Sequence, residues 1–172
     1  MSGVGANSSV EGNHGAMTYS VGIDVPRGFE GVTPEVALSY SSNGGNGALG
    51  MGWSLPSFSI ERMTSKGLQR YGVEDRFVAE GSDELVRVAQ LGDSATYRSR
   101  FESGFVRYTW LNRGNGEGGA WKAEYPDGRV GYFGADENAV AVGNARVTVP
   151  TTTRVFRWHL VALVDRFGHQ MR

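Results

Sequence analysis

Two stretches decide the fold of this chain: Met17–Val25, which reads MTYSVGIDV, and Glu35–Ser41, which reads EVALSYS. In both, apolar side chains alternate with small or polar ones. A period of two is typical of a β-strand with one buried and one solvated face. The buried face is predicted to carry Met17, Tyr19, Val21, Ile23 and Val25 on the first strand and Val36, Leu38 and Tyr40 on the second. A turn is predicted between them, over Pro26–Pro34.

A loop rich in glycine and asparagine follows, Ser42–Trp53, which reads SNGGNGALGMGW. Both residue types tolerate a positive φ, so the chain is predicted to bend sharply there, with Trp53 packed beneath the bend. After the loop, Leu55, Phe58 and Ile60 predict a third strand. Pro56 restricts that strand to a sheet edge or a bulge, because proline cannot donate to a ladder.

The remaining sequence predicts a series of hairpins, and such closely spaced strands favour an antiparallel all-β fold of curved sheet. The longest apolar run, Val155–Val164, is predicted to be a strand. A helix over Arg154–Arg166 is the alternative, but Val155, Phe156 and Trp158 favour the extended form. The predicted pairs are Arg76–Ala79 with Glu84–Val88, Thr96–Phe101 with Phe105–Trp110, Ala120–Tyr125 with Arg129–Phe133, and Val140–Val142 with Arg146–Val149.

Length and composition narrow the possible functions. The 172 residues fit one domain, and the 26 glycines indicate many turns. Seventeen basic and 18 acidic residues give a net charge of −1, so neither nucleic acid nor an anionic membrane surface is an expected partner. The absence of cysteine excludes disulfides, thiolate metal sites and a cysteine nucleophile. No apolar run reaches the length of a membrane span, so direct membrane insertion is not expected.

The first fifteen residues, MSGVGANSSVEGNHG, are predicted to be a disordered, polar lead-in, with the folded domain over residues 16–172. They lack the basic start and apolar centre of a secretory signal. An exported parent would therefore leave the cell by a route without a cleaved signal peptide, or the chain is a fragment.

No catalytic, cofactor-binding or metal-binding residue is predicted. The glycine loop lacks the lysine of a phosphate-binding loop, and no nucleophile elbow occurs. His159 and His169 could face each other across a hairpin, but two imidazoles make a poor zinc site. The carboxylate pairs Glu74-Asp75 and Asp83-Glu84 fall in predicted turns, where such side chains usually face solvent. An enzyme with an unseen site remains the third hypothesis.

The four tryptophans offer an alternative of another class, a β-sandwich that binds carbohydrate on a cell surface. Trp110 and Trp121 flank the loop Asn112–Gly119 and are the candidates for an exposed platform. Core packing is the competing interpretation, because large aromatic side chains are seldom exposed in clusters.

The segment Gly15–Ser59 closely resembles the opening domain shared by the Salmonella virulence plasmid protein B and the B components of insecticidal toxin complexes. GALGMGWSL at Gly47–Leu55 is its most specific match, and weaker motifs continue to Asp165-Arg166-Phe167-Gly168-His169, which resembles the start of tyrosine–aspartate repeats. The matching motif residues are Pro34, Leu38, Ser39, Tyr40, Gly47, Gly50, Gly52, Trp53, Ser54 and Leu55.

The resemblance implies that the chain is the opening part of a larger β-shell, truncated at Arg172. In such toxins the shell encloses a toxic C-terminal polypeptide, and a downstream propeller docks on a pore-forming component. The implied partners are therefore the repeat and propeller domains, the enclosed toxin and the pore, and the chain alone is expected to expose strand edges. The family's ADP-ribosylation activity resides in C-terminal domains that this sequence lacks.

Overall fold

The fold is divided into two compact units, Met1–Pro56 and Ser57–Arg172, where the sequence predicts one domain. The computed structural model of the chain describes residues 6–10, 16–25, 36–47, 49–56, 58–65, 67–72, 75–79, 83–101, 104–111 and 118–172. The predicted turn Pro26–Pro34 lies outside these residues. Among the described residues the regular elements are strands and one 3₁₀ turn at Gly143–Ala145, so the prediction of an antiparallel all-β fold is confirmed.

The first unit contains a four-stranded antiparallel sheet in the order β1-β2-β3-β6 and a separate small hairpin, β4-β5. Its strands are β1 (Ala6–Val10), β2 (Met17–Ile23), β3 (Val36–Ser41), β4 (Asn46–Gly47), β5 (Gly50–Met51) and β6 (Trp53–Ser54). The lead-in is therefore wrongly predicted for Ala6–Val10, whose backbone pairs with β2 from Ala6↔Val21 to Val10↔Met17. The strand forms through backbone hydrogen bonding to β2, which the polar side chains of this segment do not predict.

The register of this sheet places like side chains together. Tyr19 pairs with Tyr40, and Tyr40 pairs with Trp53, so these three aromatic residues share one face. We call this the apolar face, and its members are Met17, Tyr19, Val21, Ile23, Val36, Leu38, Tyr40 and Trp53. The opposite face carries Ser20, Ser39 and Ser54. The alternation is thus as predicted, but the burial is not, since Met17 and Ile23 are largely exposed.

The second unit is a closed barrel. Its strands are β7 (Ser59–Arg62), β8 (Phe77–Ala79), β9 (Asp83–Leu91), β10 (Ser94–Ser99), β11 (Arg107–Leu111), β12 (Ala120–Glu124), β13 (Val130–Phe133), β14 (Arg146–Thr148), β15 (Val155–Val164) and β16 (Gln170–Met171). Strands β7 to β13 pair in sequence order, and β15 pairs with both β7 and β13. Each of these eight strands has a neighbour on both sides, so the open strand edges expected from sequence do not occur in this ring.

Side chains fill the barrel interior, as expected for eight strands. The fully buried members include Trp121, Trp158, Tyr108, Phe133 and Ile60. Each large aromatic side chain removes on the order of 200 Å² from water, an upper estimate of about 5 kcal/mol. Aromatic and aliphatic side chains therefore fill the centre of the barrel.

The hairpin predictions from 76 to 133 are confirmed with small shifts at the strand ends. The strand prediction for Val155–Val164 is also confirmed, and the helical alternative is wrong. The third strand begins only at Ser59, because Leu55 and Phe58 lie exposed outside it. Residues 140–142 form no strand and contribute one isolated bridge, Ala135↔Ala141. Among the described residues there is no helix with the length and apolarity needed to cross a membrane.

Candidate functional site

The motif residues of the first unit converge on Trp53. Its ring meets Tyr40 with the centroids 5.3 Å apart and meets Tyr19 edge-on at 6.4 Å. On the other face, the Ser54 hydroxyl donates to the Ser39 carbonyl at 3.3 Å. The motif therefore joins β6 to β3 and builds the aromatic centre of the apolar face.

Gly52 makes this packing possible. Its φ is +78°, and a Cβ there would lie 2.6 Å from Cε2 of Tyr40 and 2.7 Å from the Ser41 carbonyl oxygen. Only glycine combines that backbone conformation with so close an approach. The sequence analysis predicts that the loop bends sharply with Trp53 packed beneath it. The bend is present, since Gly52 N–H donates to Gly45 O at 2.9 Å, but the ring that Gly52 approaches is that of Tyr40.

The remaining motif residues have separate places. Gly47 and Gly50 pair in the small hairpin, while Leu38 lies beside Tyr40 on the apolar face. Leu55 is exposed beyond the end of β6. Pro34 lies outside the described residues.

A cavity of about 470 Å³ opens at one end of the barrel, where Tyr71 and Gly72 before β8, the β9–β10 turn, and Gly118 and Gly119 before β12 meet the start of β15. We call it the mouth cavity. Its aromatic wall is formed by Tyr71, Phe77, Tyr97 and Trp110, and its charged residues are Arg62, Arg87, Asp93 and Arg154. Of these eight residues the sequence analysis predicts only Trp110 as a candidate binding residue, because they come from six separate stretches of chain.

A buried ion pair holds the long β7–β8 connection over this end. Arg62 Nη1 donates to Asp75 Oδ2 at 2.6 Å, and both side chains are only 7% exposed. Asp75 also accepts from the backbone N–H groups of Arg70 and Tyr71, while Arg62 Nε donates to the Val155 carbonyl at 2.9 Å. Burial lowers the pKa of Arg62, although Asp75 opposes this. The sequence analysis predicts that Asp75 faces solvent as a turn carboxylate. It is buried instead, because it anchors this loop through the ion pair with Arg62.

A β-bulge aims two polar side chains into the mouth cavity. The β9–β10 register shifts between Thr96 and Tyr97, so that Arg87 lies opposite Tyr97 and Gln90 lies opposite Ala95. Since Tyr97 and Ala95 are buried, their partners face the same interior side. Burial raises the pKa of the Tyr97 phenol, and the nearby guanidinium groups of Arg87 and Arg62 partly oppose that rise.

The predicted tryptophan platform is wrong for Trp121, which is 1% exposed at the centre of the barrel. Trp110 packs against that core, with its ring centroid 5.1 Å from that of Trp121. Glycine is needed beside it, because a Cβ on Gly119 would overlap the Trp110 ring. Strand β12 turns Trp121 inward, so the two rings cannot form an outer sugar-binding surface.

The remaining sequence candidates are dispersed. His169 Nδ1 contacts Asp165 Oδ2 at 2.7 Å, and His159 pairs with Ser59 across β15 and β7. Burial, helped by Arg157, lowers the pKa of His159.

Glu84 bridges Arg76 and Arg100 on the surface, while Glu74 and the Asp83 side chain lie outside the described residues. In the described part of the chain, no three histidine or carboxylate groups gather as a metal site.

Comparison with known sequences places this chain beside a group of bacterial toxins. The profile of the family described as Salmonella virulence plasmid 65kDa B protein matches residues 11–172. A relative named Mono(ADP-ribosyl)transferase SpvB, from Salmonella typhimurium, is 33% identical, with 59% of this chain and 20% of that protein covered. The chain thus spans about a fifth of the length of the curated relatives it matches.

Solved structures give the same fold. TcdB2-TccC3 superimposes with a TM-score of 0.82 at 29% identity, covering 99% of this chain and 9% of the other. The Tc holotoxin pore of Photorhabdus luminescens gives a TM-score of 0.80 at 29% identity, covering 99% and 8%. The N-terminal domain of the effector SpvB from Salmonella typhimurium gives 0.70 at 27% identity, covering 84% and 50%.

Proposed function

Because the chain belongs to the Salmonella virulence plasmid 65kDa B protein family, we propose that it is a non-catalytic structural module of a secreted bacterial toxin. In this proposal it forms part of a β-shell that encloses a toxic C-terminal polypeptide. The observation that carries the proposal is the fit of 99% of the chain, at a TM-score of 0.82, to a small part of TcdB2-TccC3. A segment that reproduces 9% of so large an assembly is suited to be one component of its wall.

The packing of the barrel supports a structural role. Its interior is occupied by aromatic side chains, and its ring of eight strands closes on itself. Such a unit is suited to a structural role, because close-packed protein interiors have low compressibility. Charged side chains pair locally on its surface, as Glu124 does with Arg107 and Lys122.

The apolar face supports a joining role for the first unit. Tyr19, Tyr40 and Trp53 lie together on it, while Met17 on the same face is half exposed. A large apolar patch of this kind marks an interaction surface. We assign it to contact with neighbouring shell parts, which the family resemblance identifies as repeat and propeller domains of the same or a partner chain.

The transferase activity named for SpvB is assigned to regions beyond the matched segment. The match covers only 20% of that protein. We further propose that the parent toxin is secreted and is delivered through a pore-forming partner, as the Tc holotoxin pore among its structural relatives suggests.

A chimera tests the shell role. This chain replaces the matching segment of TcdB2 in TcdB2-TccC3, and limited proteolysis then measures protection of the TccC3 C-terminal region. We expect protection equal to that of the unmodified complex. Within the chimera, Trp53→Asp is expected to reduce protection several-fold, because a charge on the apolar face opposes its burial against a neighbour.

Ser39→Asp is the matched control, since it adds the same charge to the opposite face of the same sheet. Its chimera is expected to keep full protection. An assembled chimera that leaves the TccC3 C-terminal region open to protease would contradict the shell role. Equal loss in both variants would contradict the assignment of the apolar face to the joint.

A further inference from the structure

We propose that the mouth cavity binds a small planar aromatic carboxylate. This inference concerns the barrel alone and stands apart from the shell role. The cavity volume of about 470 Å³ lies within the range of about 300–1,000 Å³ in which proteins hold small organic ligands. Mouths of β-barrels are among the places where such sites occur.

The charges around the cavity favour an anion. Among the described residues that line it are three guanidinium groups, those of Arg62, Arg87 and Arg154, and one carboxylate, that of Asp93. Asp75 already neutralises Arg62 from behind. Arg87 and Arg154 are both exposed at the rim, and together they exceed the charge of Asp93 by one. A guanidinium holds a carboxylate by charge-assisted hydrogen bonds, which are about twice as strong as neutral ones.

The wall of the cavity favours a flat apolar body behind that carboxylate. The rings of Phe77 and Trp110 lie at an interplanar angle of 26°, with their centroids 6.1 Å apart, and Tyr97 meets Phe77 edge-on. Aromatic surfaces of this kind bind planar rings by offset stacking or edge contacts. The Arg154 guanidinium lies 5.6 Å from the Tyr71 ring centroid, which places a cation directly beside the aromatic wall.

The site is supported by rigid neighbours. Arg62 makes a hydrogen bond to Val155 O and an ion pair with Asp75, which ties the Tyr71 backbone to the barrel. The bulge in β9 directs Arg87 and Gln90 inward, and Arg87 Nη1 donates to Gln90 Oε1 at 3.3 Å. A preorganised site of this kind loses little conformational entropy when a ligand binds.

Isothermal titration calorimetry of the full chain with naphthalene-2-carboxylate tests the proposal. We expect saturable binding of one equivalent with a Kd below about 1 mM. The neutral naphthalene-2-methanol and the cationic naphthalen-2-ylmethylamine share the ring and differ in charge. Each is expected to bind at least about tenfold more weakly, which corresponds to one charge-assisted hydrogen bond.

Two rim variants locate the anion. Arg154→Gln and Arg87→Gln remove exposed charges outside the core, and each is expected to weaken naphthalene-2-carboxylate binding about five- to tenfold. Arg129→Gln is the matched control, because Arg129 lies in the turn at the opposite end of the barrel and pairs with Asp127. Its Kd is expected to stay within about twofold of the unmodified chain.

Three results would overturn the proposal: no saturable binding of naphthalene-2-carboxylate, equal binding of the neutral or cationic ring, or equal weakening by Arg129→Gln. Circular dichroism of each variant establishes that it is folded. If one rim variant fails to fold, the other decides the question, since both predict the same direction of change.

Discussion

In the first unit, Tyr19, Tyr40 and Trp53 lie on a sheet face whose neighbours Met17 and Ile23 are half exposed. In the barrel, Phe77, Trp121 and Trp158 lie on strands of the same alternating pattern and are almost fully buried. The difference arises from closure, because a ring of strands encloses its own inner face. An open sheet needs another layer to do so. Alternation thus determines which side chains share a face, and sheet topology determines whether that face is shielded from solvent.

The largest expected effect comes from separating the units. Residues 57–172 expressed alone are expected to unfold cooperatively in urea, with a free energy of unfolding of about 5–10 kcal/mol, since the barrel has its own core. Residues 1–56 alone are expected to show no cooperative transition. Circular dichroism and tryptophan fluorescence measure both. A stable first unit, or a barrel that needs residues 1–56 to fold, would remove the distinction.

Truncating one tryptophan in each unit sharpens the comparison. Trp158→Ala is expected to lower the free energy of unfolding by about 3–5 kcal/mol, because the emptied volume is enclosed by rigid barrel walls. Trp53→Ala is expected to lower it by about 1–2 kcal/mol, since that ring is only partly buried. Urea unfolding of the full chain measures each. Equal losses would mean that the apolar face is as well packed as the barrel.

Adding one methyl group probes the same contrast at a finer scale. Gly119→Ala is expected to cost about 2–4 kcal/mol, because its φ is +65° and its Cβ would overlap Trp110. Gly50→Ala in the first unit combines a φ of +106° with open space, so about 1–2 kcal/mol of backbone strain is expected. Thermal unfolding ranks the two variants. A reversed order would show that the first unit is the tighter one.

The smallest expected effect is electrostatic and lies in the turn after β15. Burial alone would raise the pKa of Asp165, but hydrogen bonds from the His169 ring and from the N–H groups of His169 and Phe167 outweigh it and lower that pKa. The unfolded chain then binds more protons, so this stabilisation is present above the ordinary pKa of about 3.9 and is lost as pH falls through the lowered value.

Titration followed by NMR measures this pKa directly. In His169→Gln the pKa of Asp165 is expected to move up towards its ordinary value, because one hydrogen bond of the charged carboxylate is weakened. Arg166→Gln is the control, as its side chain contacts the Phe167 ring. An unchanged Asp165 pKa in His169→Gln would show that the backbone donors alone account for the shift.

Local sequence signals predicted the hairpins well. The turn Pro126-Asp127-Gly128 joins β12 to β13 as expected, since Gly128 adopts a φ of +86° and Asp127 accepts from the Arg129 N–H. Barrel closure was missed, because β15 meets β7 through pairs such as Arg157 and Glu61, 96 positions apart. A period of two reports that a strand has two faces but not which distant strand lies beside it.

The mouth cavity was missed for related reasons. The bulge between β9 and β10 breaks the alternation that would otherwise assign Gln90 to the outer face. Asp75 looked like a turn residue because its partner, Arg62, lies beyond a long connection. The inward turn of Trp121 could have been inferred from the alternation of Trp121 and Ala123 with the charged residues Lys122 and Glu124. The position of Trp121 beside a glycine-rich loop, on which the prediction of an exposed platform was based, was the weaker signal.

Strand β15 has a consequence for how the protein is made. It pairs with both β7 and β13, and so it is the strand that closes the ring. During synthesis β7 to β13 leave the ribosome first. They form an open sheet, with β7 and β13 as unpaired edge strands, until Val155–Val164 emerges. The nascent chain is then most vulnerable to self-association, and slowing translation just before Val155 would lengthen that interval.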